Sequence, residues 1–94
     1  MIYLHITLDV PTENRAAAAA VYERYRAPFL DTVAGAASKE LLVSPEDVVV
    51  VHGFDTREHA EAYLGTPLFT REIAGALEPL LAAPPEVRVY TVAS

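Results

Sequence analysis

The chain opens on a strict alternation. Ile2, Leu4, Ile6, Leu8 and Val10 fall on one side of an extended backbone, and Tyr3, His5, Thr7 and Asp9 on the other. Period two of this kind predicts a strand with one buried face. A second stretch, Val48-Val49-Val50-Val51-His52-Gly53-Phe54, is apolar at both parities. Valine is stiff about χ1 in a helix and suits a pleated surface, so this too is a strand. Pro45-Glu46-Asp47 and Asp55-Thr56 bound it. Val48, Val50, His52 and Phe54 share one face, and Val49, Val51 and Gly53 the other. Both faces ask for burial. The helices of one small chain can cover only one of them, so the other predicts a second copy.

Between these strands the apolar period changes to that of a helix. Ala18, Val21, Tyr22, Tyr25 and Phe29 make a stripe that would lie on a sheet, while Glu23, Arg24 and Arg26 face water. The spacing predicts a helix from Glu13 to about Ala27, capped by Thr12, with a kink or restart at Pro28 and a stop at Gly35. Lys39 to Ser44 reads as a strand, and Ser44-Pro45-Glu46-Asp47 as the turn of a hairpin. Asp55 and Glu58 suggest a capping box for a second helix ending near Leu64. Gly65-Thr66-Pro67 breaks and restarts it, with Phe69, Ile73, Ala76, Leu77 and Leu80 turned inward. After Pro84-Pro85, Val87 to Val92 is a last strand.

The order is β-α-β-β-α-β in one domain spanning residues 1–94. This is the α+β, ferredoxin-like pattern: a four-stranded antiparallel sheet, helices on one face, and the first and third strands in the centre.

Composition narrows the functions. Hydrophobic residues make up 52% of the 94, enough for a core with some left for an interface. Net charge is −6, and no Lys/Arg cluster exists, which argues against nucleic acid as a partner. The longest apolar run falls far short of a membrane span, and the start lacks the positive segment of a signal peptide. With no cysteine, thiolate and disulfide chemistry are excluded, and a cytoplasmic location is expected.

The segment His52-Gly-Phe-Asp-Thr-Arg-Glu-His-Ala-Glu-Ala-Tyr-Leu, followed by Pro67-Leu-Phe, resembles the antibiotic biosynthesis monooxygenase family. So do the spacing of the first strand and helix, the hairpin, and the final Pro85-Glu-Val-Arg-Val-Tyr. The resemblance implies a dimeric α/β barrel, two sheets facing each other, with a ligand pocket between sheet and helices of each subunit. It also implies small aromatic or polyketide-type ligands and oxygenation without a cofactor. Isomerase or cyclase activity and non-catalytic binding are further possibilities within that superfamily. Its haem-degrading members use an Asn, a Trp and a His. Here there is no Trp, the single Asn is Asn14, and Tyr63 and Ile73 fall at or near the other two positions. Its aromatic oxygenases use a Trp and an Asn where this chain carries Phe54 and Val50.

Among candidate chemistry, His52 stands out because it interrupts the valine strand. A neutral imidazole on a pocket wall can take a phenolic proton. Tyr22, Tyr25, Phe29, Phe54, Tyr63 and Phe69 are the candidate aromatic lining. His5, of opposite parity, is expected toward the second copy, and His59 in solvent. No metal-ligand cluster, phosphate loop or nucleophile elbow is visible, so no metal or cofactor is expected.

Overall fold

In a computed structural model describing residues 1–94, four antiparallel strands form one open sheet in the order β2-β3-β1-β4. They are β1 (Ile2–Leu8), β2 (Ala36–Val43), β3 (Val48–Phe54) and β4 (Glu86–Thr91). The alternating strand and the valine strand are the two central ones, as their composition requires. β1 and β3 pair in register from Ile2↔Phe54 to Leu8↔Val48. This sets Ile2, Leu4, Ile6 and Leu8 beside Phe54, His52, Val50 and Val48 on the face that the helices cover.

Helix α1 runs from Arg15 to Thr32 without interruption. It starts later than expected, because Thr12–Asn14 form a 3-10 turn and Asn14 occupies the cap position. It also neither ends nor restarts at Pro28. The proline costs one intrahelical hydrogen bond, but the added turn carries Phe29 into the core, where it is 0% exposed. The helix closes through the Val33 N–H on the Phe29 carbonyl, 3.1 Å. Gly35 follows with φ +77°, a conformation that favours glycine.

Strand β2 begins three residues before the expected Lys39. Ala36, Ala37 and Ser38 are poor strand formers, yet the ladder recruits Ala36 and Ser38 opposite Phe54 and Gly53, across a register irregularity. Gly53 permits this: a Cβ there would run into the Ser38 hydroxyl. The Ser44 hydroxyl organises the hairpin turn, accepting from the Glu46 and Asp47 N–H groups at 3.2 and 3.1 Å. Arg15 clamps that turn to the start of α1, its Nη1 donating to the Ser44 carbonyl at 2.5 Å.

Helix α2 (Arg57–Tyr63) is capped by Thr56, not Asp55; the Thr56 hydroxyl accepts from the His59 N–H at 3.2 Å. Asp55 instead meets His59 Nδ1 at 2.6 Å. Beyond Pro67 the chain takes a π-helical turn, Leu68–Ile73, then α3 (Ala74–Leu77) and a 3-10 turn, Glu78–Leu80. The Ala74 N–H reaches the Phe69 carbonyl, five residues back. A widened turn of this kind re-aims the side chains it carries, here Phe69 and Ile73. Strand β4 is displaced by one residue from the expected Val87–Val92.

The opposite face of the sheet has no helix on it. Val51 and Val49 lie there between Thr7 and His5 of β1 and Leu42 and Glu40 of β2. Val51 is 8% exposed, because its neighbours shield it, and Leu42 is 51% exposed.

Candidate functional site

Residues of β1, β2 and β3, the helices, and the loop before β4 enclose a cavity of about 510 Å3. That is within the range of small-molecule sites, ~300–1,000 Å3. Its floor is the helix face of the sheet: Ile6, Leu8, Leu41, Val48 and Val50, with His52 and Lys39. Its roof comes from Ala18, Val21, Tyr22 and Tyr25 of α1, Tyr63 of α2, and Phe69, Ile73 and Leu77 beyond it. Leu81 to Pro85 form the rim. Two hydrogen bonds hold the rim: Asn14 Nδ2 to the Leu80 carbonyl, 3.2 Å, and the Ala82 N–H to the Asp9 carbonyl, 2.9 Å.

The cavity wall brings together His52, Tyr22, Tyr25, Tyr63 and Phe69. Phe29 and Phe54 are absent from it. Both are 0% exposed and stack behind it, their rings 5.5 Å apart. Phe29 is the hub, edge-on to His52 at 5.2 Å and to Tyr63 at 5.0 Å. His5 lies on the uncovered face against Tyr90, 4.8 Å between ring centres. His59 is partly exposed and paired with Asp55.

His52 is 2% exposed, and its Nδ1 is 3.1 Å from the Leu4 carbonyl. A carbonyl only accepts, so Nδ1 carries the hydrogen and Nε2 keeps the lone pair. Burial penalises the imidazolium and pushes the ring's pKa down to about 3; the Leu4 carbonyl opposes this, and the Lys39 charge reinforces it. The ring is therefore neutral throughout the physiological range.

Tyr63 is 1% exposed, and its hydroxyl is buried without any hydrogen-bond partner. Burial raises its pKa, so the group remains a phenol able to donate. Tyr22, by contrast, commits its hydroxyl to the Lys39 carbonyl, at 2.6 Å.

Sequence reasoning missed Lys39. It is the chain's single lysine and is 3% exposed, whereas lysine is almost never fully buried without a partner. Its Nζ lies 5.3 Å from the centre of the Phe29 ring and 5.6 Å from that of Tyr22, and none of the three ion pairs includes it. Desolvation lowers its pKa to about 8. A signal was present: Lys39 shares its parity with Leu41, on the face of β2 that meets the helices. No group of three His, Cys, Asp or Glu side chains comes together in a metal-binding arrangement, and no helix is long and apolar enough to cross a membrane.

The profile of the antibiotic biosynthesis monooxygenase family matches residues 1–74. No curated protein matches the chain. Among solved structures, a Bordetella bronchiseptica protein provisionally named an antibiotic biosynthesis monooxygenase superposes with TM-score 0.87 at 18% identity, over 99% of this chain and 97% of that one. A Caulobacter crescentus protein named in the same way gives TM-score 0.84 at 19% identity, over 99% and 90%. A Nitrosomonas europaea protein so named gives 0.83 at 18%, over the whole of both chains. At these identities the likeness is one of fold.

Proposed function

Because the chain belongs to the antibiotic biosynthesis monooxygenase family, we propose that it binds a small aromatic or polyketide-type compound between sheet and helices and oxygenates it. The observation that carries this reading is the 510 Å3 cavity, mostly apolar, with a neutral histidine and an unpartnered tyrosine hydroxyl in its wall.

In this reading the substrate supplies the electrons, and neither metal nor flavin is required. His52 Nε2 takes a proton from a phenol or its keto tautomer. The resulting anion gives one electron to dioxygen, and the substrate radical and superoxide join through a new C–O bond. The peroxide then loses the C–H proton and its outer oxygen, which leaves as hydroxide and recovers a proton from the imidazolium. For an anthrone-type substrate the balance closes simply. A methylene and one dioxygen become a carbonyl and one water, so one oxygen atom stays on carbon and the other carries away both hydrogens. Burial makes the imidazolium unfavourable unless an anion stands beside it, so proton transfer and anion formation are tied together. Tyr22, Tyr25, Tyr63 and Phe69 orient the ring, while Phe29 and Phe54 back them.

The uncovered sheet face supports a homodimer, with Val49, Val51 and Leu42 closed over by a second copy in the cytoplasm. Oxygen uptake with anthrone- or quinol-type substrates tests the chemistry. Uptake by the wild type that falls in His52→Ala is expected; no uptake, or an unchanged rate in the variant, removes the mechanism.

A further inference from the structure

Lys39 has no place in the mechanism above, and burying it is costly. An amine in an apolar wall, facing two aromatic rings and no carboxylate, lacks the partner that buried charges ordinarily require. The Tyr63 hydroxyl is the second uncommitted polar group of the same wall. Both are donors. Both neighbour Phe29, whose ring centre is 5.3 Å from Nζ and 5.0 Å from that of Tyr63. What would satisfy this pair is therefore an acceptor, and beside an ammonium group an anionic oxygen satisfies best.

Resting on the reading of the cavity as an aromatic site, we propose that its ligand is held as an anion. A phenolate, enolate or carboxylate oxygen takes Lys39 Nζ as its counter-ion, and the Tyr63 hydroxyl donates to an oxygen of the same molecule. The class of ligand is thereby narrowed from aromatic compounds in general to acidic ones. The protein as a whole is acidic, with 13 Asp and Glu against 7 Lys and Arg, so a single interior cation also selects the site against the repulsive surface. For the oxygenation proposed above, the Lys39 charge stabilises the electron-rich anion that must form before dioxygen reacts.

The test is calorimetric titration at neutral pH with two probes of one shape, anthraquinone carboxylate and the matching carboxamide. Wild type is expected to bind the carboxylate at least about tenfold more tightly. Lys39→Met should remove that preference while holding carboxamide affinity within about threefold. Tyr63→Phe should weaken both probes. Equal affinity of the wild type for the two probes overturns the assignment of Lys39 and leaves the cavity reading standing. Binding of neither probe overturns both. The wild-type comparison needs no variant, so the outcome does not depend on how Lys39→Met folds.

Discussion

Lys39 and His52 are opposite one another across the β2–β3 ladder, and both line the same cavity. Two ionisable groups thus share one wall, and the Lys39 charge disfavours protonation of His52. Burial, with no acidic partner to offset it, shifts both toward their neutral forms.

The cost of burying Lys39 is measurable. Its folded pKa of about 8 lies below the ordinary 10.5. Between those values the unfolded chain binds a proton that the native state does not. The Lys39 contribution to stability is therefore fullest above pH 10.5, falls as the pH drops toward 8, and is lowest below that. At ~1.4 kcal/mol per pKa unit the difference is about 3 kcal/mol. Lys39→Met is expected to be more stable than wild type at pH 7 by as much as about 3 kcal/mol in urea titrations. It should also lose the wild type's gain between pH 8 and 10.5. Because the chain has one lysine, 15N-lysine labelling gives one side-chain resonance, and its titration midpoint should lie near 8. A midpoint near 10.5 would mean that the amine is solvated.

His52 governs the acid side. Its pKa falls from 6.5 to about 3 on folding, so stability is complete above pH 6.5 and drains away as the pH falls toward 3. The loss is about 4–5 kcal/mol if no relaxation intervenes. His52→Gln should flatten the urea midpoint over this interval while lowering it at pH 7, because removal of the ring opens a cavity against Phe29 and Tyr63. A wild type whose midpoint is level from pH 6.5 to 4 would show that the ring is solvated.

Tyr63 presents the opposite balance. Its unsatisfied hydroxyl carries a desolvation cost of about 1–3 kcal/mol, and its ring packs against Phe29, His52, Phe54 and Phe69. Tyr63→Phe keeps the ring and deletes the orphan group. Its melting temperature is expected to equal or exceed that of wild type in the ligand-free protein. A drop of several degrees would mean that the hydroxyl has a partner.

How much of this was readable in the chain depended on how far apart the controlling contacts lie. The strand faces and the α1 stripe were readable because periodicity is local. The sheet order followed from the β-α-β-β-α-β succession, whose ferredoxin-like arrangement sets the first and third strands in the centre, where the apolar β3 fits. The early start of β2 was hidden, since the Ser38 hydroxyl sits over Gly53, a partner remote in sequence. The passage of α1 through Pro28 was hidden as well, for the proline signal is local, while the compensation is Phe29 meeting β3 and α2. Lys39 was overlooked for a different reason: one charge in a strand reads as a solvated position until the parity of its neighbours is weighed. Likewise, the aromatic set named in advance mixed residues that touch the cavity with Phe29 and Phe54, which brace it from behind. Helical and strand spacing identify the inward side but not depth within it.

Gly35 offers a test of local geometry. It has φ +77°, and an added Cβ would collide with Asp55 and His59, the pair beside the start of α2. Gly35→Ala is therefore expected to destabilise by about 1–3 kcal/mol. The loss should be smaller in combination with His59→Ala, since one of the colliding side chains is then gone. Equal losses in both backgrounds, read from chemical denaturation, would show that the collision with His59 contributes nothing.

The uncovered sheet face makes the strongest claim on a second copy. Val51 is shielded within one chain, but Leu42, beside Val49 on the same face, is 51% exposed. Val43, its neighbour on the opposite face, is 63% exposed and serves as a matched control on the same edge strand. In an isolated subunit, an aspartate at either exposed position would shift stability by only about 0.5 kcal/mol. In a dimer closed over the open face, Leu42→Asp buries a charge without a partner, whereas Val43→Asp does not. Light scattering after gel filtration should give the wild type twice the 10.2 kDa chain mass. It should give the same for Val43→Asp and a mass shifted toward one chain for Leu42→Asp. A wild type that elutes as a single chain at micromolar concentration would mean that the open face is stable in water.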